Sequence, residues 1–238
     1  MFSPTHEDLD PEYKFVHTAL WPDKAVYDEY TGEQLNETKV AKGRFRECNN
    51  MVKHKVVKLQ LASKTRGKVV RSRWIDHGKG DEVRSRCVAQ DMNFWKREDI
   101  SANTPEMICV RMILMLAASK IGAGIDRCLG IWDVTCAFFH AFMPADEPCN
   151  VWPPKGTCEP GWLWVLLKAM NGTRRASQQF CEFVAQVLLK LGFVRHPMEG
   201  QCYYNRKYDV TLCIHGDDFL VEGPVHVLEN DLNDMHWS

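Results

Sequence analysis

The chain has 238 residues, 45% of them hydrophobic and 26% charged, which excludes collagen-like, mucin-like and wholly disordered proteins. Its formal net charge of -1, taken whole, argues against a nucleic-acid binder. Divided along the chain the sign changes twice: residues 1–35 hold 2 Lys/Arg against 8 Asp/Glu, residues 36–90 hold 15 against 5, and residues 91–238 hold 13 against 18.

Residues 1–32 carry prolines, acids and scattered aromatics without a period, so the acidic stretch 1–34 is expected to be a poorly ordered arm. Its first residues, MFSPTHEDLDPEYK, lack the apolar core of a signal peptide. Val40, Phe45 and Cys48 punctuate a charged stretch over 36–51, which predicts a surface helix capped by Asn36 or Thr38. Two runs rich in Val, Ile and Trp, 69–76 and 83–89, flank His77-Gly78-Lys79-Gly80-Asp81 and predict a β-hairpin. Thr104 and Pro105 open a helix that is apolar almost all round and should be buried, ending near Gly122. Residues 131–139 form a strand with Asp133 as one charge in an apolar setting, and 163–167 form another short buried strand. Phe180, Phe183, Val184, Val187, Leu188 and Leu191 repeat at helical spacing over 176–191, with Gly192 as the stop. Strands at 202–205, 212–215 and 219–222 follow, the last two joined at Gly216-Asp217-Asp218. Helices and antiparallel strands thus mix in an α+β fold.

The ten cysteines stand singly with no CxxC, which predicts free thiols in a reducing, intracellular compartment. The longest apolar run, around 112–118, is too short to cross a bilayer, so no membrane partner is expected.

Asp217 and Asp218 are adjacent carboxylates, whose repulsion is relieved by solvent in an exposed turn or by a cation. A hairpin turn alone explains them. Asp133 adds a third carboxylate, one that would be costly in an apolar strand without a partner. Were its strand beside the 212–220 hairpin, three carboxylates would converge on one sheet edge, where hard divalent cations are the natural counter-charges. Two such ions about 3.5–4 Å apart can clamp the oxygens of a phosphoryl displacement. In the basic block, Arg73 on one strand and Arg84 and Arg86 on the other alternate so that their side chains share a face suited to phosphates.

The ordered segments IWDVTCAFFHA, VWPP, LLKAMNGTRRASQQF, LGFVRHPMEGQCYYN and IHGDDFLVEG resemble the reverse transcriptase of copia-type LTR retrotransposon Pol polyproteins. In that family an aspartate strand DVxxAF precedes a PP segment, a KALYGLKQAPRAW-like motif, a helix ending LGF, a CxY strand and a YxDD turn. Upstream, VVRSRWIDHGKGDEVRSRCVAQD is similar to the fingers hairpin and TPEMICVRMILMLAAS to the helix after it, so the resemblance covers about residues 35 to 222. It implies a right-hand polymerase with a fingers-like region at 35–122, a palm-like region at 123–222 whose antiparallel sheet is backed by helices, and a tail at 223–238. With that tail only sixteen residues long, the family's thumb and RNase H are expected to be missing and the chain to hold primer-template poorly.

Residue by residue, the resemblance makes Asp133 the first metal ligand, with the Val134 carbonyl beside it. Asp217 and Asp218 match the YxDD carboxylates, the first as ligand and the second as support. The cofactor implied is Mg²⁺, two ions, with Mn²⁺ as a substitute. Phe138 falls where the family keeps an aromatic that crowds the sugar 2′ position, although its plainer reading is core; Arg84 and Arg86 match the basic residues that bind the incoming triphosphate. The implied partners are an RNA or DNA template with primer, dNTP and the rest of a Pol polyprotein, in a cytoplasmic virus-like particle or the nucleus. The chain departs from the pattern at several places, among them His215 for the YxDD tyrosine, Arg175 for the KQAPR glutamine, and Asn171 and Ser177 for Tyr and Pro. Arg175 could still hold the triphosphate. Three rivals share some of these residues: an inactive element remnant that only binds nucleic acid, an RNA-directed RNA polymerase, and an unrelated metal-dependent phosphohydrolase.

Overall fold

Asn36 sets the first helix. Its side-chain oxygen accepts from the Lys39 amide at 3.1 Å, and α1 (Glu37–Lys53) starts behind it, as expected for an Asn cap. This is a computed structural model, and it describes residues 22–91, 105–155 and 157–231. After α1 come β1 (Val57–Leu61), β2 (Lys68–Lys79), β3 (Glu82–Ala89), α2 (Met107–Gly122), β4 (Arg127–Asp133), β5 (Cys149–Trp152) and β6 (Trp162–Leu166). They are followed by α3 (Ala176–Lys190), β7 (Val194–Arg195), β8 (Cys202–Asn205), β9 (Val210–His215) and β10 (Asp218–Pro224). The result is α+β with two five-stranded sheets, and the chain divides into two compact units, Met1–Lys96 with Phe142–Ala176 and Arg97–Ala141 with Ser177–Ser238.

The first unit holds the sheet β1-β6-β5-β2-β3. The pairing of β2 with β5 is parallel, which a short turn cannot make; the chain leaves after β3 and returns with β5 only at Cys149. The hairpin β2–β3 is longer than its apolar core suggested, because Gly80 at φ +61° permits a tight turn and ladder pairing extends to Lys79 and Glu82. Alternation turns Val83, Ser85, Cys87 and Ala89 inward. α1 packs over β3 closely enough that a Cβ on Gly43 would lie 2.6 Å from the Val83 carbonyl oxygen. Residues 22–34, expected within the arm, are tied to this hairpin: the Asp28 carboxylate accepts from the amides of Tyr30, Thr31 and Gly78, and Glu29 pairs with Arg73 at 2.8 Å. Residues 1–21 lie outside the described residues, as do Thr104 and residues 232–238.

Glu47 faces inward from α1, buried, accepting from the Cys87 amide at 3.3 Å. Burial pushes its carboxyl up to about 7, against the pull of that amide and of Arg86 and Arg84. A folded value above the ordinary one means that the folded state keeps its proton longer, so this group's stabilisation is full below about 4.5 and is lost as pH rises through about 7. Glu47→Gln is expected to raise stability above pH 7 by on the order of 2–3 kcal/mol and to leave it little changed at pH 4. Urea unfolding of both proteins at the two pH values measures this; a constant difference between them would contradict it.

The second unit holds the antiparallel sheet β4-β10-β9-β8-β7. Gln201 donates to the Cys181 sulfur of α3 on one face, where Phe180, Val184 and Leu188 are buried. On the other face, Cys109 near the start of α2 lies beside Cys202, and Lys120 near its end is 3.8 Å from Glu222. Gly192, at φ +83°, ends the α3 segment as its position predicted.

Three expectations change here. α2 is not a buried helix: only Ile113 and Ala117 are buried, and Met107, Met112 and Met115 are exposed, because the helix meets the sheet along one narrow stripe. The strand expected over 131–139 ends at Asp133, since Cys136 takes a left-handed φ of +55° and Ala137–His140 form a 3₁₀ turn. Asp133 is exposed rather than set in an apolar interior, because it is the last residue of an edge strand.

Candidate functional site

β9 and β10 are joined by two residues, Gly216 and Asp217. Gly216 has φ +66° and Asp217 does not share the positive φ, the pattern of a type II′ hairpin, which glycine at the first loop position allows. The turn fixes the register. Asp218 stands opposite His215 on one side and opposite Asp133 on the other, so the three form one row across the end of the sheet and point to the same face.

The Val134 amide donates to the Asp217 carbonyl at 3.2 Å. That bond makes Val134 and Asp217 the hydrogen-bonded pair and Asp133 and Asp218 the non-hydrogen-bonded pair, whose Cα atoms approach to about 4.5 Å and whose side chains are closest. Like charges directly opposite destabilise a sheet. Here two are opposed, a third is in the adjoining turn, and all three are exposed. Exposure screens their repulsion and leaves three hard oxygen donors open to solvent. Among the described residues, no three His, Cys, Asp or Glu side chains are gathered closely enough to hold a metal ion. The donor chemistry therefore suits a hard divalent cation, and the strand ends bring two of the carboxylates together, but the full ligand set is not drawn in.

Val134 is buried, with its amide committed to Asp217. Phe138 is half-buried in the 3₁₀ turn and meets Phe180 of α3 edge to face, ring centroids 6.0 Å apart. His140 stacks on Phe183 and its Nε2 lies 3.2 Å from the Thr135 carbonyl, which steadies the same turn. His215, which stands in the place of the YxDD tyrosine, is the cross-strand neighbour of Asp218, a placement set by the two-residue turn.

The predicted arginines belong to the first unit. Register puts Arg73 opposite Val88, Arg86 opposite Ile75 and Arg84 opposite His77, so the three share the face turned away from α1. Arg71 and Lys79, two residues before Arg73 and two after His77, extend this face as exposed cations; the i, i+2 alternation could have found both. Arg175 pairs with Glu147 at 2.8 Å, a partner the sequence did not signal. The loop before it is pinned to β3: the Ala89 amide donates to Asn171, and Gly172 has φ +80° with space for no Cβ, which would fall 2.1 Å from the Ala89 oxygen. The carboxylates, Val134 and Phe138 thus belong to one unit and the arginines to the other.

No family model matches the chain. A Saccharomyces cerevisiae protein named "Putative transposon Ty5-1 protein YCL074W" is 33% identical over 97 residues, covering 39% of this chain. The match spans 31% of that protein's own length, so this chain is similar to part of a putative transposon protein. Among the described residues, no helix is long and apolar enough to cross a membrane.

Proposed function

We propose that this chain is the fingers and palm portion of a copia-like RNA-directed DNA polymerase, which joins a dNTP to a primer 3′-OH on an RNA or DNA template. The observation that carries this reading is the pairing of Asp133 with Asp218 at the strand ends, with Asp217 bonded through its carbonyl to Val134. The ordered segments that resemble the copia family, and the similarity to a transposon protein, support it from the sequence side.

In this reading Asp133, Asp217 and Asp218, with the Val134 carbonyl, would hold two Mg²⁺ ions, whose charge would stabilise the attacking and the leaving oxygens. The chain's own task is positioning and electrostatics, with no covalent intermediate. Within the first unit, Arg73, Arg84 and Arg86 share a cationic face suited to a nucleotide's phosphates, and Arg175 is a further candidate, paired with Glu147. The Phe138 ring, braced by Phe180, limits room at the sugar 2′ position. The partners are template, primer and the remainder of a Pol polyprotein, inside the cell.

The test joins the chain to a reverse-transcriptase thumb and follows primer extension on an RNA template with dNTPs and Mg²⁺. Extension supports the proposal; binding of template-primer that weakens with salt, with no incorporation, replaces it with the nucleic-acid-binding remnant. In the same assay Phe138→Ala is expected to raise rNTP use relative to dNTP by on the order of 10-fold, about 1.4 kcal/mol of lost discrimination. An unchanged ratio leaves Phe138 as core only.

A further inference from the structure

Cys202 of β8 and Cys213 of β9 stand directly opposite each other, with their sulfurs 3.6 Å apart. The Ile214 amide donates to the Gln201 carbonyl at 2.9 Å, which makes 201 and 214 the hydrogen-bonded pair and 202 and 213 the non-hydrogen-bonded one. Opposed Cα atoms at such a pair are about 4.5 Å apart, within the 4.4–6.8 Å range that a disulfide spans. Other cysteines of the chain have a thiol neighbour too, Cys48 with Cys87 for example, but both of those are buried. Cys202 is part-exposed, so a small oxidant can reach it.

We propose that Cys202 and Cys213 are a reversible thiol–disulfide pair, oxidised by small-molecule disulfides, in the sheet that carries the candidate carboxylates. The row that holds them, Ile131, Leu220, Cys213 and Cys202, is two residues along the strands from the row of Asp133, Asp218 and His215, on the same face. The Cys202 thiol donates to the Cys213 sulfur, and this shared hydrogen bond lowers the Cys213 thiol while it raises that of Cys202. With oxidised glutathione, the Cys202 sulfur displaces one reduced glutathione and forms a mixed disulfide, its proton passing to solvent. Cys213 then gives up its proton to solvent and attacks the Cys202 sulfur, the mixed disulfide breaks, and the leaving glutathione thiolate takes a proton to depart as the second reduced glutathione. Two protein thiols are oxidised and one glutathione disulfide is reduced. Cys109 lies beside Cys202 and is the competing partner.

The experiment treats the folded chain with oxidised glutathione, then counts thiols in denaturant and maps peptides by mass. The expected result is a fall from ten thiols to eight, loss of two hydrogens, a Cys202–Cys213 peptide link and full reversal by dithiothreitol. Cys109→Ser should keep the link and Cys202→Ser should abolish it, while a chain oxidised in urea should show links scattered over many pairs. A Cys109–Cys202 link, a glutathione adduct that persists on Cys202, or ten thiols left unchanged would each overturn the proposal. These readouts are independent of polymerase activity, so they stand or fall apart from the proposed function.

Discussion

Asp217→Ala and Asp133→Ala are each expected to lower Mg²⁺-dependent primer extension by about 10³-fold or more, equivalent to about 4 kcal/mol of transition-state stabilisation. The size follows from what the two side chains are asked to do. In the proposed reading, charge on the transferred phosphoryl group is neutralised by cations, and the carboxylates of the row and the turn are the side chains that would hold them. The same substitutions should leave the fold intact. Both residues are exposed, neither needs its side chain for the backbone bond between Val134 and Asp217, and Asp133→Ala removes a like charge facing Asp218. Stability without metal should therefore stay within about 0.5 kcal/mol of the parent, or rise for Asp133→Ala. Activity falling while the unfolding midpoint holds or climbs is the signature of a ligand role. Equal extension by variant and parent would remove the carboxylates from the chemistry, and a collapse in the midpoint would mark them as structural instead.

How far the sequence carries depends on whether the deciding interaction is local. The Asn36 cap, the β2–β3 hairpin with Gly80, the Gly192 stop and the Gly216-Asp217 turn are all settled by neighbours within a few residues, and all are readable from the chain. The extent of burial is not local. Apolar residues all round α2 predict cover, yet whether Met107 or Met115 is covered depends on what lies above the helix, which no periodicity encodes. Asp133 shows the same limit in reverse: its apolar neighbours read as an interior, and only the sheet order, which makes β4 an edge strand, exposes it. β1, β5 and β7 went unpredicted because each is short, and β5 gains its place through a parallel pairing with β2 from a distant part of the chain. For the site, the residue types and their order were legible, whereas the opposition of Asp133 and Asp218 required the register.

Replacing Arg127 with Met should destabilise the second unit by about 3–5 kcal/mol, the range for leaving half of a buried ion pair alone. Arg127 opens β4, and its guanidinium, with 4% of its side chain exposed, lies against Glu222, which is fully buried. Its Nη2 donates to Glu222 Oε2 and to the Asp209 carbonyl, both at 2.8 Å, and its Nη1 to the Asp209 carboxylate at 2.5 Å, so one side chain ties β4 to β10 and to the β8–β9 turn. The loss comes less from the pair's attraction than from the carboxylate left behind without solvent or partner. Lys120 of α2, 3.8 Å from Glu222 and 3.9 Å from Asp209, remains to neutralise part of that charge. Arg127→Met alone should thus fall near the lower end of the range and Arg127→Met with Lys120→Met near the upper end. Adding Glu222→Leu to Arg127→Met removes the stranded charge, and most of the lost stability should return. Denaturant unfolding of the parent and these three variants measures the losses and the recovery. A single-variant loss under about 1 kcal/mol, or no recovery in the Arg127/Glu222 double variant, would show that the network does not hold β4 to the sheet.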